Sequence, residues 1–307
     1  MNKINKTGSM QYRTLGKTGI SVSEVGFGSH LKKENVEHPE RRRKQIEAGL
    51  EKGINLFDIY EHSYKQFAPM SKALSHVKDD VVLSLVTVWR AVDEVMEEVE
   101  YALRMFKREY IDLFRIVLGT DWSDNERRLD GLVKAKEQGK IRAIGGVVHY
   151  PEHLLEGLHR FSEVLEYMMA PASLYAPLMI REDRELATAI REHQLGLIAM
   201  KPMGAADAEG GYIFKLKPQG KAFEELRKKG LHLGKLAIKY LLQSDLVSSV
   251  LPTMDSVEEV LENVQASGDG PLTEEELQFL EMYRAEGDRA FPDMLPSNDY
   301  WMTPWKA

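Results

Sequence analysis

The chain has 307 residues, with 41 Lys and Arg against 48 Asp and Glu and a formal charge of −7 with neutral histidines; that excludes an electrostatic nucleic-acid binder as the default reading, because such a domain needs a basic surplus or stripe. Hydrophobic residues make up 43% and charged residues 29%, the balance of a globular chain with a sizeable core and not of a disordered one. There is no cysteine, which removes disulfide frameworks, thiolate metal sites and cysteine nucleophiles and fits a reducing, cytoplasmic setting.

Residues 1–9 are polar, have no signal-peptide-like apolar run and read as a tag-like leader before a second methionine, Met10. A strand pair is predicted around 12–15 and Val22, turning at Lys17-Thr18-Gly19. From there short apolar runs alternate with amphipathic segments. Strands are predicted at 24–28, 54–58, 81–87, 110–117, 141–148, 168–173, 195–200 and 248–251, and helices at 40–52, 70–77, 92–106, 127–138, 151–161, 183–193, 233–242 and 256–266. None of the apolar runs approaches the ~18 residues of a membrane span.

Eight strands alternating with eight helices, joined by links too short for a domain boundary, predict one (β/α)8 TIM barrel over 10–290. The N-terminal β-hairpin would plug one end, and an extra C-terminal helix at 274–285 would lie across the outside. Residues 291–307 form a tail with Tyr300, Trp301 and Trp305, aromatic enough to pack on the barrel. A doubly wound dinucleotide fold is the lesser reading, since Gly26-Phe27-Gly28-Ser29 lacks a third glycine at the fingerprint spacing.

In a barrel of this kind the reactive groups stand at the carboxyl ends of the strands. The second strand ends in Asp58 and runs on through Tyr60, Glu61, His62, Tyr64 and Lys65, the densest titratable cluster in the chain. The other strand ends carry Val86 and Thr87, Arg115 to Val117, Val147-Val148-His149-Tyr150, Ala172 to Tyr175, and Met200-Lys201-Pro202.

These residues sit among segments that, taken together and in order, resemble the aldo-keto reductase superfamily. The segments are Tyr12-Arg13-Thr14-Leu15-Gly16-Lys17-Thr18-Gly19, Val25-Gly26-Phe27-Gly28, Gly53-Ile54-Asn55-Leu56-Phe57-Asp58, Glu109-Tyr110-Ile111-Asp112-Leu113, Gly139-Lys140-Ile141-Arg142-Ala143-Ile144-Gly145 and Glu262-Asn263. The resemblance implies a barrel that binds a nicotinamide cofactor, NAD(H) or NADP(H), and transfers hydride to or from a small carbonyl or alcohol substrate. It gives Asp58 the family's aspartate and Tyr64 the proton-donating tyrosine, if the loop before Tyr64 carries one extra residue. The family's lysine and histidine fall on Val86 and Val117, its Ser-Asn pair on Val147 and Val148, and its strand-six glutamine on Ala172; the strand-six tyrosine is Tyr175.

A phenol with a reference pKa of ~10 needs a neighbouring cation to work near neutrality, so apolar strand ends predict a weak or atypical reductase. For the cofactor, Lys201-Pro202-Met203-Gly204 resembles the pyrophosphate-contacting turn, and Thr253, Asp255, Glu259 and Asn263 belong to what resembles the adenosine turn and helix. Asp255 and Glu259 stand where a 2′-phosphate would arrive, which makes NAD(H) electrostatically easier.

Blander readings stand beside these. Lys201 in a solvated position is the ordinary expectation, with an amine nucleophile as the sharper one if it is desolvated. Glu61, His62 and His149 would hold a metal only if their loops converged, so none is expected. Arg41-Arg42-Arg43-Lys44 reads as a solvated helix face. Met168, Met169, Met179, Met200 and Met203 read as core or pocket lining. Two functions compete with the reductase. One is a barrel retooled for non-redox proton transfer, in which Val86, Val117, Val147, Val148 and Ala172 would make a dry pocket around Asp58, Tyr60 or His149; the other is a catalytically silent binding protein. No membrane or nucleic-acid partner is expected, and the oligomeric state stays open.

Overall fold

The computed structural model describes residues 9–28, 39–60, 70–77, 80–87, 91–148, 151–173, 185–206, 213–215 and 221–290. The N-terminal hairpin joins β1 (Tyr12–Thr14) to β2 (Ser21–Ser23) antiparallel, with Thr14 opposite Ser21. Its apolar residues Leu15, Ile20 and Val22 enter the interior cluster of the barrel. Gly16 lets the turn press onto the start of a barrel strand, because a Cβ there would come within 2.1 Å of the Gly196 amide nitrogen. The hairpin therefore plugs one end, as predicted, and the structure shows that it is the amino end.

Eight parallel strands follow: β3 (Phe27–Gly28), β4 (Leu56–Ile59), β5 (Val82–Thr87), β6 (Ile111–Val117), β7 (Ile141–Val147), β8 (Tyr167–Pro171), β9 (Gly196–Met200) and, after a small hairpin, β12 (Val247–Leu251). Each pairs with its predecessor in the sheet. The seam between β3 and β12 is closed by the Gly26 amide donating to the Val250 carbonyl at 2.9 Å, the Val250 amide to the Glu24 carbonyl at 2.8 Å and the Gly28 amide to the Pro252 carbonyl at 3.0 Å. Closure leaves no free sheet edge, and the expected (β/α)8 barrel is the fold.

Helices α1 (Pro39–Glu51), α2 (Val95–Phe106), α3 (Trp122–Glu137), α4 (Pro151–Phe161), α5 (Glu185–Glu192) and α7 (Leu233–Leu242) cross between strands, and α8 (Val257–Asn263) follows the last one. Two of the predicted helices, 151–161 and 233–242, have the observed bounds. The predicted helix at 127 begins five residues earlier, because the Asp121 carboxylate accepts from the Ser123 and Asp124 amides and caps it there. The C-terminal helix α9 (Glu274–Ala290) buries Phe279 and Leu280 and meets α7 through Lys239, whose ammonium lies 2.8 Å from Glu276 and 2.9 Å from Asp269. Three further elements were not predicted: the two strands of the small hairpin, β10 (Gly204–Ala206) and β11 (Ile213–Lys215), and helix α6 (Lys221–Lys228). They lie in a Gly- and Lys-rich stretch without a long apolar period. No helix among the described residues is long and apolar enough to cross a membrane.

Two apolar clusters divide the core. The larger fills the space between strands and helices, and the smaller fills the barrel itself. The alternation of the pleat assigns each strand residue to one or the other.

Candidate active site

On β4 to β8 the inward positions read Leu56, Asp58 and Tyr60; Val82, Ser84 and Val86; Leu113, Arg115 and Val117; Ala143, Gly145 and Val147; Tyr167 and Met169. The middle layer of this barrel is polar. Asp58 Oδ1 accepts from Arg115 Nη1 at 2.6 Å and from Ser84 Oγ at 2.7 Å, and Oδ2 accepts from Arg115 Nη2 at 3.2 Å. Arg115 Nη1 also donates to Ser84 Oγ at 2.9 Å and to the Leu85 carbonyl at 3.2 Å. The side chains of Arg115 and Asp58 retain 1% and 7% exposure. A two-point guanidinium–carboxylate pair removed from water in this way is held far more rigidly than a surface pair.

Tyr167 completes the layer. Its ring lies against Gly145, where an added Cβ would come within 2.3 Å of the ring. Ser84 and Arg115 border the hydroxyl, and burial pushes the phenol well above its ordinary pKa. Tyr167 Oη and Arg115 Nε are both buried without a hydrogen-bond partner among the described residues.

The mouth begins one residue pair further along each strand. Val86, Val147, Met169, Met200 and Leu251 are buried in the inner cluster, and Tyr60 and Val117 pack on it half-buried. Val148 and Ala172 do not belong there. Both sit in the outer cluster under the helices, since successive residues of a strand face opposite sides and Val147 takes the inward place; of the five residues expected to make a dry pocket, Val86, Val117 and Val147 face the barrel interior. Met168 likewise faces the outer cluster. Tyr64, Glu61, His62, His149, Tyr175 and Met179 lie outside the described residues. The phenol expected to lack a neighbouring cation, Tyr64, is not among these residues, but Asp58 has a cation that the strand-end reading did not consider, Arg115, a layer below Val117. The sequence carried a signal for this: Arg115 interrupts an apolar strand at a position in step with Leu113 and Val117, and a charged residue in a barrel interior requires a partner there.

A second group lies at the ends of β9 and β12. Lys201 follows β9 with a positive φ of 60° just before Pro202, and burial pulls its amine down to about 8. The solvated lysine of the ordinary reading is therefore replaced by a half-buried, desolvated one. Pro202 is buried and Met203 half-buried, and the chain enters β10 at Gly204. Beyond β12, Thr253 bridges to Gly28. Ser256 caps α8 by accepting from the Glu259 amide at 3.1 Å, while Glu259 Oε2 accepts from the Asp255 amide at 2.8 Å. Asn263 is buried, its Oδ1 lying where a Cβ on Gly234 would meet it at 2.5 Å.

Helix α1 clamps this turn. Arg42 donates to the Met254 carbonyl at 3.0 Å and the Gly28 carbonyl at 3.1 Å, and stacks on Phe27 with 4.5 Å to the ring centroid. Arg41 and Gln45 donate to the Asp255 carbonyl at 3.0 and 2.6 Å. Arg42 is 1% exposed, so the solvated face read from Arg41-Arg42-Arg43-Lys44 is wrong for Arg42; one arginine per turn points into the seam and stitches β3 to the β12 turn. Among the described residues no group of three or more His, Asp or Glu is placed to hold a metal ion.

A profile of the aldo/keto reductase family matches residues 24–283. The chain belongs to the aldo/keto reductase family. Aldo-keto reductase AKR11C1 from Bacillus halodurans, in its holo form, superposes with a TM-score of 0.67 at 26% identity, covering 89% of this chain and 96% of that one. The oxidoreductase YqkF of Bacillus subtilis is 25% identical over 89% of this chain and 96% of its own length. L-galactose dehydrogenase of Arabidopsis thaliana is 27% identical over 84% and 88%. The chain is thus an oxidoreductase of aldo-keto reductase type, and nothing in these comparisons favours a retooled or silent barrel.

Several residues that carried the resemblance perform structural work in this aldo-keto reductase. Asn55 accepts from the Ser23 amide at 2.7 Å and donates to the Ser21 carbonyl at 2.9 Å, tying the hairpin to β4. Asp112 accepts from the Leu83 amide at 3.0 Å and pairs with Arg108 and Arg142, each at 2.9 Å.

Proposed function

We propose that this aldo-keto reductase moves hydride between a nicotinamide dinucleotide and the carbonyl or alcohol carbon of a small molecule held at the carboxyl end of the barrel. The observation that carries the reading is the Asp58–Ser84–Arg115 group, a fixed polar floor directly beneath an otherwise apolar mouth. The apolar wall of Val86, Val117 and Val147 excludes water, which strengthens each polar contact to a reacting oxygen. Asp58 with Tyr64 is the polar pair assigned to that oxygen, Tyr64 delivering the proton and Asp58 orienting it. Small sugars of the kind named for the L-galactose and L-glyceraldehyde 3-phosphate relatives are the first substrates to try.

When bound, the dinucleotide supplies or accepts the hydride. The residues present suit it: a desolvated lysine at the end of β9 complements a pyrophosphate, with Pro202, Met203 and Gly204 shaping the turn. Thr253, Asp255, Glu259 and Asn263 frame the adenosine end, and two carboxylates there favour the ribose hydroxyls of NAD(H) over a 2′-phosphate. Residues 10–290 act as one catalytic domain in this reading.

Fluorescence and calorimetric titration with NADH and NADPH tests the proposal, followed by a panel of small aldehydes and aldoses. Saturable binding, tighter for NADH, with cofactor oxidation on adding a carbonyl substrate is the expected result. Neither quench nor heat with either cofactor would sink it.

A further inference from the structure

We propose that Arg115 is a positioning residue for the reaction at this mouth, holding Asp58 in one orientation from the strand beyond its neighbour; the inference rests on the hydride-transfer reading above. Asp58 stands on β4 and Arg115 on β6, with Ser84 of β5 between them. The guanidinium reaches across the intervening strand and engages both carboxylate oxygens, at 2.6 and 3.2 Å. Ser84 is small enough to let it pass and supplies a third contact, donating to Oδ1 at 2.7 Å. Rotation of the carboxylate about its own axis would break all three.

The two partners differ in access. The Arg115 side chain is 1% exposed and that of Asp58 is 7% exposed, so the carboxylate is the more accessible partner and the guanidinium is withdrawn from a substrate. Oδ1 already accepts from two donors, whereas Oδ2 has one longer contact. The remaining acceptor capacity of the pair is concentrated on Oδ2. Arg115 thereby acts through Asp58, deciding which oxygen is available and where it points. The position beside Arg115 in register, Val86, is apolar, and Val117, the next inward residue of β6, is apolar too. Among the described inward residues of β4 to β6, the guanidinium is the cation that neutralises this acid.

The test is R115K, which keeps the charge but replaces a planar two-point fork by a single ammonium, with R115M as a second variant. Cofactor affinity from NADH fluorescence, kcat and KM for an aldehyde, and the pH profile of kcat are measured on the full chain. The expected result for R115K is a cofactor Kd within about twofold of the parent, a kcat lower by ~10–100-fold at little changed KM, and a displaced pH profile, the scale of a misplaced reacting group. R115M should lose more of kcat than R115K. An R115K protein that is less stable but keeps the parental kcat and pH profile would show that the arginine only supports the fold, and would overturn the proposal. If R115M does not fold, R115K alone decides. A parent that turns over no carbonyl substrate removes the hydride-transfer reading and this inference with it, whereas a working parent with an indifferent R115K removes the inference alone.

Discussion

Severing the Asp58–Arg115 pair has a large and specific energetic consequence. The two charges are 2.6 Å apart at their nearest atoms, and their side chains keep only 7% and 1% of their surface. Removing one partner strands the other in the barrel interior, at a cost of about 3–5 kcal/mol. Asp58→Asn leaves the guanidinium facing a neutral amide, and Arg115→Met leaves a buried carboxylate with the Ser84 hydroxyl as its one side-chain donor among the described residues. The double variant strands neither charge. It should be no less stable than the worse single variant, giving a coupling of about 3 kcal/mol or more between the sites. Equilibrium urea unfolding, followed by far-ultraviolet circular dichroism, measures the cycle through the midpoints at constant slope. Against a total of about 5–15 kcal/mol, each single change is readily visible. Additive effects, within about 0.5 kcal/mol, would mean that the two groups do not sense each other and would refute the reasoning.

Three further outcomes follow from the same layer and its surroundings. Gly145→Ala drives a Cβ to within 2.3 Å of the Tyr167 ring and should cost about 3 kcal/mol; adding Tyr167→Leu should recover part of that in a thermal melt, and no recovery would show that the strain lies elsewhere. Tyr167→Phe removes a buried hydroxyl that has no hydrogen-bond partner and should raise stability by about 1 kcal/mol, whereas a loss of stability would reveal a bond between that hydroxyl and Ser84 or Arg115. Lys201→Met should stabilise the chain by about 1–2 kcal/mol at pH 7 while weakening NADH binding. Lys201 has its folded pKa lowered to about 8 from the ordinary 10.5, so the cost of its charge is present at pH 7 and fades as pH rises through about 8 towards 10.5. The gain measured by urea unfolding should shrink over that window, and a gain constant to pH 10.5 would contradict it.

The barrel was legible because its local signals agree. A closed ring of parallel strands needs short apolar runs covered on their outer face by amphipathic helices, and each strand from Phe27 to Leu251 announces itself in that way. At α8 the Ser256 cap marks the start of the helix within a residue of the predicted one, whereas the Asp121 cap of α3 was passed over. The β10–β11 hairpin and α6 escaped because they are short, three, three and eight residues, and give too few positions for a period to stand out in the sequence. Arg42 escaped for a related reason, since a run of three arginines looks solvated until the helix phase is fixed against its neighbours.

Composition, spacing and alternation thus determined the strand order, a hairpin plugging one end and the strand ends at which Asp58, Tyr60 and Lys201 stand. They could not decide which residues meet across the barrel, because pairing between β4 and β6 depends on strand tilt and register and not on distance along the chain. Only the closed structure brought Arg115 onto Asp58 past Ser84, turned Val148 and Ala172 away from the mouth and withdrew Lys201 from water. Each of those facts is a matter of which side of a pleat a residue occupies and what lies opposite it, and closure of the sheet is what supplies the opposite side.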